Sequence, residues 1–525
     1  MYKKLFSAGT TTILAGALCS GAFMSCHKDK AASPPPVDIT DALKKDSLKY
    51  LMYQIMQVTY GDGGRTASKG LPTYYWYSSV PQLDPLASKY TDANALLTEM
   101  KGYAINPATN AAYDHYSFLD EDGTITNQLM NGVSEQNAAA NPSKLGFDIG
   151  FAAGADASKV RLFVKYADKN SPAGKAGVLR GWEITSVNGN TNFSSASSAI
   201  NSLYNTISTA STITLGFKKQ DQTAVTLTLN AATYNINPVL FDTVYTVKNT
   251  ANIDIKVGYF VMYTFSSVTN DAGNATATKT ALDQTIAKFK AQGIKQLIVD
   301  FRYNGGGATS TAEYLDNAFA PSAAAGKVMY TYKYNDKIMQ NLAATKLDAQ
   351  VNYAAATGGM GLDNIFFIVS GETASASELT LNNLKPYMNV RLIGKKTYGK
   401  PVGFIDFNIT MYDNDHKPVY LADLYAINFE TTNANGNGGY YTGIPVDAEA
   451  VDYVNIAWGN TTSDQNLQQA MNYISTGSYL NLRSSARISA AAGNDLREAI
   501  PNITPARGFN GMVDFRLSKK VAGLQ

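Results

Sequence analysis

Cysteine is almost absent from this chain of 525 residues. The two present, Cys19 and Cys26, both lie near the N-terminus. That excludes an internal disulfide framework, a cysteine nucleophile and a Cys/His zinc site in the body of the protein. Histidine is as scarce: His27, His115 and His416 are the three. No H-E-x-x-H spacing occurs, and the histidines read most simply as structural, with a triad through His416 as an alternative. Charge is sparse, 16% of residues with a formal net +2. Nothing here favours nucleic-acid binding. Beyond the first 25 residues no long apolar run appears, so no further membrane span is expected. The glycine run at 305–307 matches neither G-x-G-x-x-G nor G-x-x-x-x-G-K-[ST], and neither a nucleotide, a metal nor another cofactor is expected.

The N-terminus accounts for the cysteines. Lys3 and Lys4 precede an apolar, small-residue stretch from Leu5 to Phe23, closed by Met24-Ser25-Cys26. This order is that of a secretory signal, residues 1–25. A cysteine after a small residue at its end resembles a bacterial lipoprotein cleavage site. Cys26 is therefore the expected lipid carrier, with an ordinary signal peptide as the alternative. Residues 26–41, with Ala31 to Pro36, read as a tether that cannot build a core.

The segments that carry chemistry come later. Ile365 to Val369 reads as a buried strand, and Leu379 to Lys385 as a helix stopped by Pro386. Between them lies Gly371-Glu372-Thr373-Ala374-Ser375-Ala376-Ser377-Glu378. Ser375 thus falls on a strand-to-helix turn, where a hydroxyl can be exposed beside a positive helix end. Ser375 and Glu378 also fit an S-x-x-E capping box, which needs no catalysis. Thr397-Tyr398-Gly399-Lys400 follows a second short strand-like run, and Lys400 lies 25 residues beyond Ser375. Upstream, Leu297 to Phe301 reads as a strand entering Arg302-Tyr303-Asn304-Gly305-Gly306-Gly307. Such glycines leave amide N–H groups uncovered, either in a plain tight turn or as donors to an oxyanion.

Together these three segments resemble the carboxyl-terminal processing, or tail-specific, serine peptidases. That family shows a D-x-R-x-N-x-G-G loop, an [ST]-A-S-A-S-E turn and a [TR]-[FY]-G-K lysine. Gly443-Ile444-Pro445-Val446-Asp447 is similar to a later family segment, with its proline one place early. The resemblance implies an α/β multidomain protein with a ClpP/crotonase-like catalytic core over 235–475. It implies Ser375 as nucleophile, Lys400 as general base, and Ala376 with Gly306 or Gly307 as oxyanion donors. Many members carry a glutamine four residues after the lysine. Phe404 stands there in this chain, which leaves the third catalytic residue open.

Residues 144–232 resemble an inserted PDZ domain through Ser171-Pro172-Ala173 and the run ending Ile184-Thr185-Ser186-Val187-Asn188-Gly189, with Trp182 in place of the usual aspartate. PDZ modules bind a peptide C-terminus by strand addition. The candidate carboxylate loops are Leu145-Gly146-Phe147 and Ile149-Gly150-Phe151. Residues 42–135 read as an N-terminal helical region, and 476–525 carry no motif. The expected protein is an extracytoplasmic, lipid-anchored serine endopeptidase acting on proteins or peptides with a free C-terminus. The alternatives are an inactive peptide-binding scaffold and an acyl hydrolase of non-peptide substrates.

Overall fold

In a computed structural model of the chain, residues 40–59, 83–102, 105–106, 111–112, 114–134, 144–154, 156–357, 359–481, 496 and 511–522 are described. The leader, Cys26 with most of the tether, and the aromatic run at 74–77 lie outside these residues. The N-terminal helical region contains helix α1, Asp41–Thr59, and helix α2, Ala93–Lys101. The Asp92 side chain accepts the Ala95 N–H and so caps α2. Met52, Met56, Leu96 and Met100 enter the same core as Val299, Phe367 and Ile427. Strand β1, Phe118–Asp120, pairs with a strand some 300 residues later. The N-terminal region is therefore packed onto later parts of the chain.

Strands β2 (Phe147–Ala153), β3 (Val160–Ala167), β4 (Glu183–Val187), β5 (Thr212–Lys218) and β6 (Ala224–Asn230) form an antiparallel sheet in that order. Helix α3, Ser197–Thr209, closes it by burying Ile200, Tyr204 and Ile207 against Leu162, Ile184 and Leu215. The Asn188-Gly189 signal is a two-residue turn. Both residues have positive φ, 49° and 83°, and the Asn190 N–H donates to the Val187 carbonyl at 2.9 Å. Trp182 is buried edge-on against Phe217, with ring centroids 5.7 Å apart, so the departure from the usual aspartate fills the core. This unit has a hydrophobic core of its own. Its opposite sheet face meets the rest of the protein through Ala152 and Phe163 against Val454 and Leu496.

The rest of the fold is built on two larger sheets. The first has the order β7 (Val239–Lys248), β8 (Asp254–Met262), β9 (Gln296–Asp300), β13 (Asn364–Val369), β14 (Asn389–Gly394) and β17 (Ala448–Glu449), the chain between β9 and β13 being accounted for below. β7 runs antiparallel to β8, and every other neighbour pair is parallel. Strands covered on both faces read as continuous apolar runs. Leu297 and Val299 face one core while Ile298 faces the other, beneath the late helix α7, Gln465–Thr476. Helix α4, Ala277–Gln292, joins β8 to β9.

The second sheet has the order β10 (Gly306–Ala308), β18 (Gly511–Val513), β15 (Val402–Tyr412), β16 (Pro418–Asn433), β11 (Val328–Lys333) and β12 (Gln350–Asn352), with β1 also pairing with β16, at Asp423 to Tyr425. Helices α5, Thr309–Phe319, and α6, Ala376–Leu384, contribute buried side chains to the core shared by the two sheets, and every residue of α6 is buried. The glycine loop, the serine turn and the lysine loop follow β9, β13 and β14. These are three adjacent parallel strands, so their carboxyl ends bring the three segments together. Within 476–525, where no element was assigned from sequence, the described residues contain β18 and helix α8, Phe515–Ala522.

Candidate active site

Ser375 ends the turn and caps α6 with φ 57° and ψ −107°. A non-glycine residue rarely holds a positive φ, and such strain survives only where its surroundings fix it. Three contacts fix it here. The Thr373 hydroxyl donates to the Phe301 carbonyl at 2.8 Å, the Ala374 N–H to the Asn304 carbonyl at 3.1 Å, and the Ser375 N–H to Glu378 Oε2 at 2.9 Å. Ser375 Oγ lies 3.5 Å from the Val402 carbonyl. The Ser377 hydroxyl instead donates to the Asn304 carbonyl at 3.0 Å. The turn was expected at the surface. Ser375 itself is fully buried, because its end of the turn is closed between β15 and the glycine loop rather than projecting from a sheet edge.

Glu378 does far more than cap a helix. Its Oε1 accepts the Thr397 hydroxyl at 2.5 Å and the Gly399 N–H at 2.8 Å. Its Oε2 accepts the N–H groups of both Ser375, at 2.9 Å, and Lys400, at 2.8 Å. One carboxylate oxygen thus ties the backbone of Ser375 to that of Lys400. Burial pushes the Glu378 carboxyl above the usual range, while these four donors pull it down. In the sequence Glu378 showed itself as the end of a capping box and of the serine motif, with no sign of these four contacts.

Lys400 is 1% exposed. Burial lowers its pKa from 10.5 to about 7, against the opposing pull of Asp114 and Glu378. Its Nζ lies 4.1 Å from the ring centre of Phe404 and 4.6 Å from that of Tyr116. Phe404, at the position where many similar peptidases have glutamine, therefore touches the amine with a ring face instead of an amide. Tyr116 comes from the N-terminal region, which folds over the lysine. Of the remaining histidines, His115 and His416 are exposed, and His416 sits in the tip of the β15–β16 turn.

The glycine loop is held by its own motif. Asn304 Nδ2 donates to the Met262 carbonyl at 3.0 Å, and its Oδ1 accepts the Gly306 N–H at 2.9 Å. Arg302, 2% exposed, binds Asp300, Asp452 and Asp464 at 2.6–2.7 Å. Gly306 and Gly307 have φ of 106° and 138°. A side chain at Gly306 would strike the Gly511 carbonyl at 2.4 Å and the Ala376 N at 2.9 Å. Gly307 pairs with Met512 in the sheet. The Ala376 N–H, first in its helix, has no backbone acceptor among the described residues.

The five-stranded unit reaches both loops. Lys165, 1% exposed, binds Glu372 at 2.8 Å and lies 4.3 Å from the Tyr303 ring centre. Arg180 donates to the Tyr303 hydroxyl at 2.9 Å and to Asp452 at 2.8 Å. The two arginines hold the Asp452 carboxyl well below the usual range, against burial. These contacts carried no sequence signal, since each joins residues far apart in the chain. Of the two candidate peptide loops, Leu145-Gly146-Phe147 leads into β2, with the Gly146 carbonyl accepting from Asp168 N–H at 2.8 Å. Ile149-Gly150-Phe151 is no loop but the middle of β2, where Gly150 faces Val454 and Lys165.

Comparison with known proteins agrees with this geometry. Residues 256–434, which include the glycine loop, Ser375 and Lys400, match the profile of Peptidase family S41. This part of the chain is similar to the S41 peptidases. The protein is accordingly a serine-type peptidase. Its fold is similar to that of a protein assigned to the S41 proteases from Bacteroides fragilis, at 20% identity and a TM-score of 0.57, over 81% of this chain and 96% of that one. A photosystem II D1 C-terminal processing protease aligns over 78% of this chain and 93% of its own at 17% identity, with a TM-score of 0.41 that is too low to inform the site.

Proposed function

We propose that this S41 peptidase cuts its substrates with a Ser375/Lys400 dyad. The observation that carries the reading is the shared Glu378 oxygen, which fixes nucleophile and base relative to each other at the ends of adjacent strands. A buried, neutral Lys400 takes the Ser375 proton as Oγ attacks a peptide carbonyl. The Ala376 N–H and a glycine N–H, Gly306 or Gly307, hold the resulting oxyanion. Collapse expels the amine and leaves an acyl-enzyme, which water hydrolyses. Phe404 and Tyr116 orient the lysine in place of a third polar residue. Because Ser375 is buried, substrate entry requires the turn to be uncovered.

The ClpP/crotonase-like description of the core belongs to the same proposal, as does the reading of residues 144–232 as a PDZ domain. That domain would capture a free C-terminus near Leu145-Gly146-Phe147 and report to the site through Lys165 and Arg180. Cys26 would carry a lipid that anchors the enzyme outside the cytoplasm, at a bacterial outer membrane. The direct test is mutational. Ser375→Ala should abolish hydrolysis of a fluorogenic peptide while Ser377→Ala keeps most of it. Lys400→Arg, which keeps charge but cannot deprotonate near neutrality, should be as inactive as Lys400→Ala. Activity surviving in Ser375→Ala or in Lys400→Arg would refute the dyad.

A further inference from the structure

Strand β18 sits between β10, which carries Gly306 and Gly307, and β15, which begins two residues after Lys400. It runs parallel to both. The Gly511 N–H donates to the Gly305 carbonyl at 3.0 Å, and the Asp514 N–H to the Phe404 carbonyl at 3.0 Å. The Ser518 hydroxyl of α8 accepts the Asp406 N–H at 3.0 Å. Met512, Val513 and Leu517 are completely buried. Met512 leaves no room across the strand, since a side chain added at Gly403 would lie 2.8 Å from its Cγ. Arg516 clamps the segment outward. It binds both oxygens of Glu313, at 2.6 and 2.9 Å, and Asp514 at 2.7 Å. Glu313 lies on α5, the helix that leaves β10 directly.

We propose that residues 511–522 are a positioning element of the catalytic centre, holding the glycine loop at a fixed distance from the lysine strand. The proposal rests on the Ser375/Lys400 reading given above. Neighbouring strands lie about 4.8 Å apart, so β10 and β15 stand roughly two such spacings from each other with β18 between them. The Gly511 carbonyl lies in the same small space as Gly306 and the Ala376 N–H. Any shift of β18 therefore moves the donors proposed for the oxyanion. A misplacement of about 1 Å there costs on the order of a hundredfold in rate. The depth of Met512 and Val513 in the core marks the segment as a permanent part of the site and not a displaceable plug.

The test uses the full chain with Met512→Ala, Met512→Leu and Arg516→Ala. It reads kcat and KM on a fluorogenic peptide, and inhibition by a peptide aldehyde whose tetrahedral adduct needs the oxyanion donors. All are measured at a temperature where circular dichroism shows each variant folded. Met512→Ala should lose about tenfold or more in kcat and a similar factor in aldehyde affinity, with KM nearly unchanged. Met512→Leu, similar in volume, should recover both. Arg516→Ala, on a half-exposed side chain, should fall in the same direction by less. A Met512→Ala enzyme that melts earlier yet keeps kcat and aldehyde affinity would reduce the segment to packing and overturn the proposal alone. Arg516→Ala raising turnover would overturn it in favour of a plug. Turnover surviving in Ser375→Ala, run alongside, would overturn the dyad and this proposal with it.

Discussion

Replacing Lys400 by methionine should make the protein inactive and more stable. The amine is buried, and its pKa falls from 10.5 to about 7. A shift of about 3.5 units corresponds to about 5 kcal/mol against the charged form in the folded state. The unfolded chain binds that proton more tightly than the folded one. The contribution of this one group to stability is therefore most favourable above pH 10.5, is lost as pH falls towards 7, and levels off below it. At pH 7 the lysine costs about 4 kcal/mol relative to a neutral side chain, and at pH 9 about 2 kcal/mol. Methionine has a similar volume and no charge to desolvate, and it can lie against the rings of Phe404 and Tyr116. Urea unfolding of both proteins at pH 7 and 9 should show Lys400→Met ahead at pH 7, its advantage shrinking by about 2 kcal/mol at pH 9. Other titrating groups cancel in that difference. The same pKa predicts that kcat/KM rises through a limb near pH 7 as the base becomes neutral. An advantage that stays constant or grows between pH 7 and 9, or a limb above pH 9, would show that Lys400 is charged in the resting enzyme and refute the reasoning.

Three further outcomes are testable. Glu372→Gln removes the partner of a lysine that is 1% exposed, leaving it Asp148 at 3.6 Å. Stability should drop by about 2 kcal/mol in urea unfolding, at the low end for a broken buried pair because Glu372 is partly solvated. Turnover should fall too, since Glu372 lies on the serine turn, and unchanged kcat would show that the contact does not support that turn. Amidating the C-terminus of a cleaved peptide should raise KM more than it lowers kcat, whereas equal cleavage of acid and amide would count against C-terminal recognition by residues 144–232. Cys26→Ser should shift the protein out of the detergent phase or block its processing, while Cys19→Ser should do neither. Unchanged partitioning of Cys26→Ser would place any anchor elsewhere.

Much of this molecule was determined locally. Apolar runs at 297–301 and 365–369 became buried parallel strands because residues covered on both faces leave no polar alternation. Asp92 and the Asn188-Gly189 turn acted as start and turn signals because their side chains or backbone freedom satisfy nearby groups. Ser375, Lys400 and the glycines stood out as candidates because they lie at strand-to-loop junctions in a pattern that resembles the tail-specific peptidases. What the tertiary structure decided depends on contacts between distant residues. Lys400 becomes a candidate base only because Phe404, Tyr116 and the surrounding core exclude water from its amine. Glu378 joins Ser375 to Lys400 only once β13 and β14 lie side by side. Residues 511–513 have no pattern of their own. They became a central strand because β10 and β15 present two unpaired edges one strand apart, and an edge's missing hydrogen bonds can be supplied from anywhere in the chain.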